Sequence, residues 1–318
     1  MRFSRFVAVI PTLAFLALAA CQQDQGGQSD EAAAEPATES AADAQSGPKT
    51  SHVVEVIARD FSFEAPAEIP SGWTTFRLRN EGAQEHFMIL WRMPEGKTVE
   101  DYENEVAPAF DIEAYAAGTI DRETAIQTIG GLLPEWYGGV AGAGGPGIVS
   151  RGGVAQTTIE LEPGYYVIEC YVKAPDGKFH STLGMLAGLT VTAEQSGASP
   201  PKADIEMALT NYEITTEGEF TPGMQTVRVR FMDTGEGILG HDVHLVRLTD
   251  GVSVDEVIPW MDWMDAFMAP APAEFLGGAE QMLAGSTAYI TVNLESGSYA
   301  WISEEFAARG MVKEFVVE

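Results

Sequence analysis

Beyond residue 50, apolar and polar side chains alternate with a period of two, as in Phe76-Arg77-Leu78-Arg79 and Val227-Arg228-Val229-Arg230. That period puts successive side chains on opposite faces of an extended chain and predicts strands with one buried face. Glycine, proline and aspartate clusters break the alternating runs at short intervals and read as turns. Two acidic stretches have helical spacing instead: Val99 to Val106 with Ala125 to Trp136, and Val254 to Phe267. The expectation is an all-β chain carrying small helical insertions.

The strand pattern occurs twice. Val54 to Arg79 (VEVIARDFSFEAPAEIPSGWTTFRLR) matches Ile205 to Arg230 (IEMALTNYEITTEGEFTPGMQTVRVR), with Gly72 and Gly223 at the same offset. The correspondence continues in order. His86 followed by FMILWR matches His241 followed by DVHLVR, and Pro134 to Gly139 matches Pro272 to Gly278. GYYVIEC (Gly164 to Cys170) matches GSYAWIS (Gly297 to Ser303), and GMLAGLTV (Gly184 to Val191) matches GMVKEFVV (Gly310 to Val317). Five ordered matches imply an internal repeat. The Ser/Gly/Pro stretch Ser196 to Lys202 separates the copies, because Pro200 and Pro201 cannot extend a strand ladder. The expected domains are residues 50–195 and 203–318. About 270 residues suit two sandwiches of roughly 100 residues each better than one.

The first 49 residues differ in kind. Arg2 and Arg5 precede an apolar run from Phe6 to Ala20, too short for a spanning helix and built like a secretory signal, so residues 1–20 are set aside from the fold. Leu18-Ala19-Ala20-Cys21 resembles the lipobox of bacterial lipoproteins, which implies lipidation at Cys21 and anchoring to a membrane. Gln22, rather than Asp, follows the cysteine, and by the same resemblance this favours the periplasmic face of the outer membrane within the cell envelope. Residues 21–49 have no aromatic residue and read as a disordered acidic tether. The formal net charge is −29, with 47 acidic and 18 basic residues, and losing Arg2 and Arg5 takes it to −31. Such a surface excludes nucleic acid as a partner and would steer encounters with a basic redox partner protein.

The first copy carries residues with metal chemistry: His86 in NEGAQEHFMIL, then Cys170, His180 and Met185 in CYVKAPDGKFHSTLGM. These motifs resemble those of the cupredoxin family over about 145 residues. The resemblance implies two tandem cupredoxin-like Greek-key β-sandwiches and, in residues 50–195, one copper ion held by His86, Cys170, His180 and Met185. Thiolate and thioether sulfur suit copper, and a His₂Cys set with a weak axial Met is the blue-copper arrangement. The departure is the nine residues between Cys170 and His180, longer than the family's spacing. Pro175-Asp176-Gly177 predicts a hairpin turn; if it folds back, His180 returns beside Cys170, and if not, the fold exists without its copper. With Cys21 lipidated, Cys170 is the one remaining thiol, to be buried, bound or reactive.

In the second copy Ser303 stands where Cys170 stood, and Glu304 to Arg309 offers no histidine before Met311. His241 and His244 remain, three residues apart and expected on opposite faces. This copy reads as degenerate, a scaffold or docking surface. Met261, Met264 and Met268 with Trp260 and Trp263 read as a core stripe. Gly138 to Gly153 lacks the Lys-Ser/Thr ending of a phosphate loop and reads as a flexible connection. Tandem cupredoxin domains also build multicopper oxidases and nitrite reductases, but those enzymes need repeated His-x-His pairs, and this chain has five histidines and no such pair. Three readings follow: an envelope protein that transfers electrons or holds copper; a metal-free binding or scaffold module; and an enzyme, for which no motif speaks.

Overall fold

The computed structural model describes residues 51–249 and 251–318. The signal segment, Cys21 and the tether lie outside the described residues. The architecture is all-β, two sandwich halves with short helices between strands.

In the first half the strands are β1 (Val53–Arg59), β2 (Ser62–Glu64), β3 (Glu68–Asn80), β4 (Ile89–Arg92), β5 (Ala141–Gly142), β6 (Val154–Leu161), β7 (Gly164–Glu169) and β8 (Leu186–Gln195). Strand β3 serves both layers. Its start, Glu68 to Ser71, runs parallel to β8, the pairing slips between Pro70 and Ser71, and from Gly72 onward it pairs with β6. Gly72 has φ +93°, a left-handed value that a glycine adopts without penalty, and it sits where the strand crosses between sheets. One layer is β2-β1-β3-β6 and the other β3-β8-β7-β4-β5. Alternation decides the inner face: Val54, Val56, Ala58, Phe76 and Leu78 are buried, while Glu55, Arg77 and Arg79 face solvent.

The second half repeats these pairings with β9 (Ile205–Thr210), β10 (Glu213–Glu217), β11 (Gly223–Phe231), β12 (Val243–Leu248), β13 (Glu274–Ala279), β14 (Thr287–Leu294), β15 (Gly297–Ile302) and β16 (Val312–Val317). Strand β9 lies parallel to β11 as β1 lies parallel to β3, and β12-β15-β16 corresponds to β4-β7-β8. The halves share a layer, since β14 pairs with β6 through Ala288↔Ile159, Tyr289↔Thr158 and Ile290↔Thr157. Helical insertions form at Val99–Val106 as expected, but at Arg122–Leu132 rather than Ala125 to Trp136, with Trp136 in a separate turn, and at Val254–Trp260, which ends short of Phe267. Trp260, Met261, Trp263 and Met264 are buried in the core.

The glycine-rich stretch differs from its expected flexibility. Residues 143–149 form a seam between the halves: Ala143, Pro146 and Val149 bridge to Met282, Ala279 and Leu276, and the N–H groups of Met88 and Leu90 donate to the carbonyls of Pro146 and Gly144. Glycine here serves close approach. Gly145 has φ +140°, and a side chain on it would run into the Met88 carbonyl oxygen. Gly145→Ala is therefore expected to destabilise the protein by about 1–3 kcal/mol or more in urea unfolding. Gly130→Ala, in the exposed face of the Arg122–Leu132 helix with open space around it, is expected to stabilise by about 0.5–1 kcal/mol.

Candidate metal centre

Cys170 follows directly on β7, and His86 lies just before β4, the strand paired with β7. His86 is fixed by reciprocal backbone bonds with Val149 of the seam. The nine residues after Cys170 form the expected hairpin. Lys173 bridges to Phe179, the Ala174 N–H donates to Lys178, and Gly177 makes the turn at φ +87°. The His180 N–H then donates to the Val172 carbonyl at 2.8 Å, which returns the imidazole to Cys170.

The result is a buried triangle. His86 Nδ1 lies 3.8 Å and His180 Nδ1 3.6 Å from Cys170 Sγ, with all three residues fully buried. First-row metal bonds of about 2.3 Å to sulfur and about 2.0 Å to nitrogen, spread at trigonal angles, put those atoms about 3.7 Å apart. The donor set fits a trigonal His₂Cys copper site. Met185 is also fully buried, and its backbone brackets the triangle: its N–H donates to the His180 carbonyl and its carbonyl accepts from the Cys170 N–H.

Both imidazoles are held by their far nitrogens. His86 Nε2 bonds Asp60 Oδ1 at 2.8 Å, and His180 Nε2 bonds Gln84 Oε1 at 3.1 Å. An acceptor at Nε2 places the ring proton there and leaves Nδ1 as a lone pair aimed at the sulfur. Burial pushes the Asp60 carboxyl up, but the N–H groups of Ala83 and Gln84 and the His86 ring outweigh it and hold it below the usual range. Burial lowers both imidazoles, His86 against the pull of Asp60, and His180 to about 3 with His86 adding to the effect. They are neutral at pH 7, as ligands must be. Burial also pushes the Cys170 thiol up, opposed by the N–H groups of Phe87 and Val172, which point at the sulfur and would stabilise a thiolate. Phe61, partly exposed, packs 4.8 Å from the His180 ring.

Asp60, Gln84 and Phe61 carried no sequence signal. Asp60 and Phe61 lie in the turn after β1, remote in sequence from the ligand motifs, whereas Gln84 lies inside the His86 motif with nothing to mark it as a partner of His180; only folding makes them neighbours.

The second half has the same backbone frame with different side chains. The Met311 N–H donates to the Phe306 carbonyl and the Ser303 N–H to the Met311 carbonyl, as Met185 and Cys170 do in the first half. By that frame Ser303 replaces Cys170 and Phe306 replaces His180. His241 keeps an aspartate partner, Asp233, at 2.7 Å, but its ring faces Phe306. His241 and His244 point apart: His244 Nδ1 accepts from the Ile148 N–H. With neither thiolate nor second imidazole, this frame has no soft ligand set.

No protein-family model matches the chain, and no curated protein matches it. Among solved structures, dithionite-reduced auracyanin from Roseiflexus castenholzii is 24% identical, covers 45% of this chain and 99% of its own, and has a TM-score of 0.26. Auracyanin A from Chloroflexus aurantiacus, described as a "blue" copper protein, is 21% identical over 45% of this chain and 100% of its own, with a TM-score of 0.28. A Cu-containing nitrite reductase from Thermus scotoductus is 11% identical over 84% of this chain and 61% of its own, with a TM-score of 0.21.

The neutral, buried imidazoles make the apoprotein acid-sensitive. Between about 3 and the ordinary histidine value of 6.5, the unfolded His180 binds a proton that the folded one does not. Its contribution is therefore complete above about pH 6.5 and lost as pH falls towards 3. His180→Gln is expected to flatten the fall of apoprotein stability between pH 6.5 and 4, read by urea titrations across that range. An unchanged slope would mean that His180 is already charged in the fold.

Proposed function

We propose that this chain binds one copper ion through His86, Cys170 and His180, with Met185 as a weak fourth ligand, and exchanges single electrons in the cell envelope. The observation that carries the reading is the triangle of Cys170 Sγ with two neutral imidazole Nδ1 atoms, each ring fixed from behind by Asp60 or Gln84. Copper held there would pass between its two oxidation states and so take up or release one electron. The residues supply the rest. Asp60 and Gln84 hold the rings in one orientation, so little reorganisation accompanies a change of charge. Phe87 and Val172 offer N–H groups to the sulfur and favour thiolate. Burial excludes water from the sulfur, and the partly exposed Phe61, packed against the His180 ring, would offer an aromatic route for the electron.

The wider reading rests on sequence. Lipidation at Cys21 would tether the protein to the periplasmic face of the outer membrane, and the acidic surface would attract a basic redox partner, more weakly as salt rises. The competing reading, a metal-free scaffold, leaves unexplained why three buried side chains aim metal-binding lone pairs at one point.

Adding one equivalent of Cu(II) to the full chain is expected to produce an intense visible absorption band with one copper retained per chain after dialysis. Cys170→Ser is expected to lose the band and the fold to remain, read by far-UV circular dichroism. A colourless wild-type protein without retained copper would overturn the proposal. Replacing Asp60 by Asn is expected to weaken copper binding about 10–100-fold by loosening the His86 ring, measured by competition against a copper chelator.

A further inference from the structure

A second cluster lies where the two halves meet. Asp242 and His244 flank Val243 at the head of β12 and so share a face, and Glu280 follows the end of β13, beside them across the Val243↔Ala279 pairing. A ligand atom from each lies within 4.8 Å of the others, and all three residues are buried, Glu280 and His244 completely. Glu304 is buried beside them, its N–H donating to Asp242 Oδ1 at 2.8 Å. Backbone from the first half closes the cluster: the Glu280 N–H donates to the Gly145 carbonyl, and the Ile148 N–H reaches His244 Nδ1 at 3.2 Å.

Four of its polar atoms lack partners. Neither carboxylate oxygen of Glu280, nor Glu304 Oε1, nor His244 Nε2 makes a hydrogen bond, and among the described residues no lysine or arginine forms an ion pair with any of the three acids. Three carboxyls collected out of water without a cation are costly unless something positive joins them. His244 Nε2 faces Asp242 Oδ2 at 3.4 Å, too long for a good hydrogen bond and close to the spacing of two ligands on one ion. Coordination through Nε2 would move the ring proton to Nδ1 and displace the Ile148 contact, which at 3.2 Å is already long for such a bond.

We propose that Asp242, His244 and Glu280, with Glu304 alongside, form a second metal site that takes a divalent first-row cation of the Zn(II) type. Mixed carboxylate and imidazole donors suit such an ion. The imidazole argues against Ca(II) and Mg(II), which prefer oxygen alone, and the absence of sulfur from the cluster argues against Cu(I). The site stands independently of the copper proposal, although the two are close in structure. Tyr171, next to Cys170 in sequence, donates its hydroxyl to Glu304 Oε2 at 3.1 Å. A cavity of about 280 Å³ lined by Tyr171, Gln281 and Leu239 adjoins this junction.

The test uses the full chain with Cys170→Ser, which removes the thiolate, stripped with chelator and then given Zn(II). One Zn(II) per chain retained on desalting and a raised melting temperature are expected. Adding Glu280→Gln is expected to weaken Zn(II) binding at least tenfold, with Asp242→Asn as the second variant should the first not fold. In the chain that keeps Cys170, Glu280→Gln should leave the copper absorption band in place, which separates failure of this site from failure of the other. No Zn(II) retained by the Cys170→Ser chain, as for a cluster that is simply protonated, would overturn the proposal, and so would binding unchanged by the folded carboxamide variant.

Discussion

The candidate metal centre depends on one backbone hydrogen bond, from the His180 N–H to the Val172 carbonyl. It closes a hairpin that starts and ends beside Cys170. Without it the second imidazole would sit ten residues away along the chain, and the sulfur would have His86 alone. The hairpin's own turn, with Gly177 in the left-handed region, makes that closure local. Distant packing holds its Lys173 end, through backbone bonds with Phe267 and Ala269, and also supplies orientation. Asp60 and Gln84 grip the rings, and the seam at Val149 fixes the backbone of His86.

The second half shows which parts of this design are scaffold and which are chemistry. Ser303, Phe306 and Met311 reproduce the backbone bonds of Cys170, His180 and Met185. The frame is thus retained where its ligands are not. In place of a soft site, the second half gathers carboxylates against the seam, and Ser303 donates its hydroxyl to Asp242 at 2.7 Å. The shared sheet through β6 and β14, together with the seam, joins the halves into a unit in which residues from one complete the surroundings of the other.

Much of this was legible in the sequence, for identifiable reasons. Alternation reports burial directly, so the strands, their inner faces and the paired order of both halves could be read. Pro175-Asp176-Gly177 has a specific turn chemistry, so the hairpin could be anticipated, though not that it would bring His180 to within reach of sulfur. Gly138 to Gly153 was misleading, because glycine serves equally for freedom and for close approach, and only the neighbours Met88 and His244 decide between them. Asp60, Gln84 and the cluster of Asp242 and Glu280 had no local signature, since each is brought to its partners by strand pairing across long stretches of chain. Cys21, the signal segment and the tether rest on sequence alone.

The central claim is that one copper ion sits among a thiolate and two imidazoles. X-ray absorption at the copper edge of the full chain, loaded with one equivalent of copper, reads that ligand set directly. One short sulfur bond with two imidazole nitrogens is the expected result. A shell of nitrogen and oxygen without sulfur would contradict the account, because it would place the copper away from Cys170.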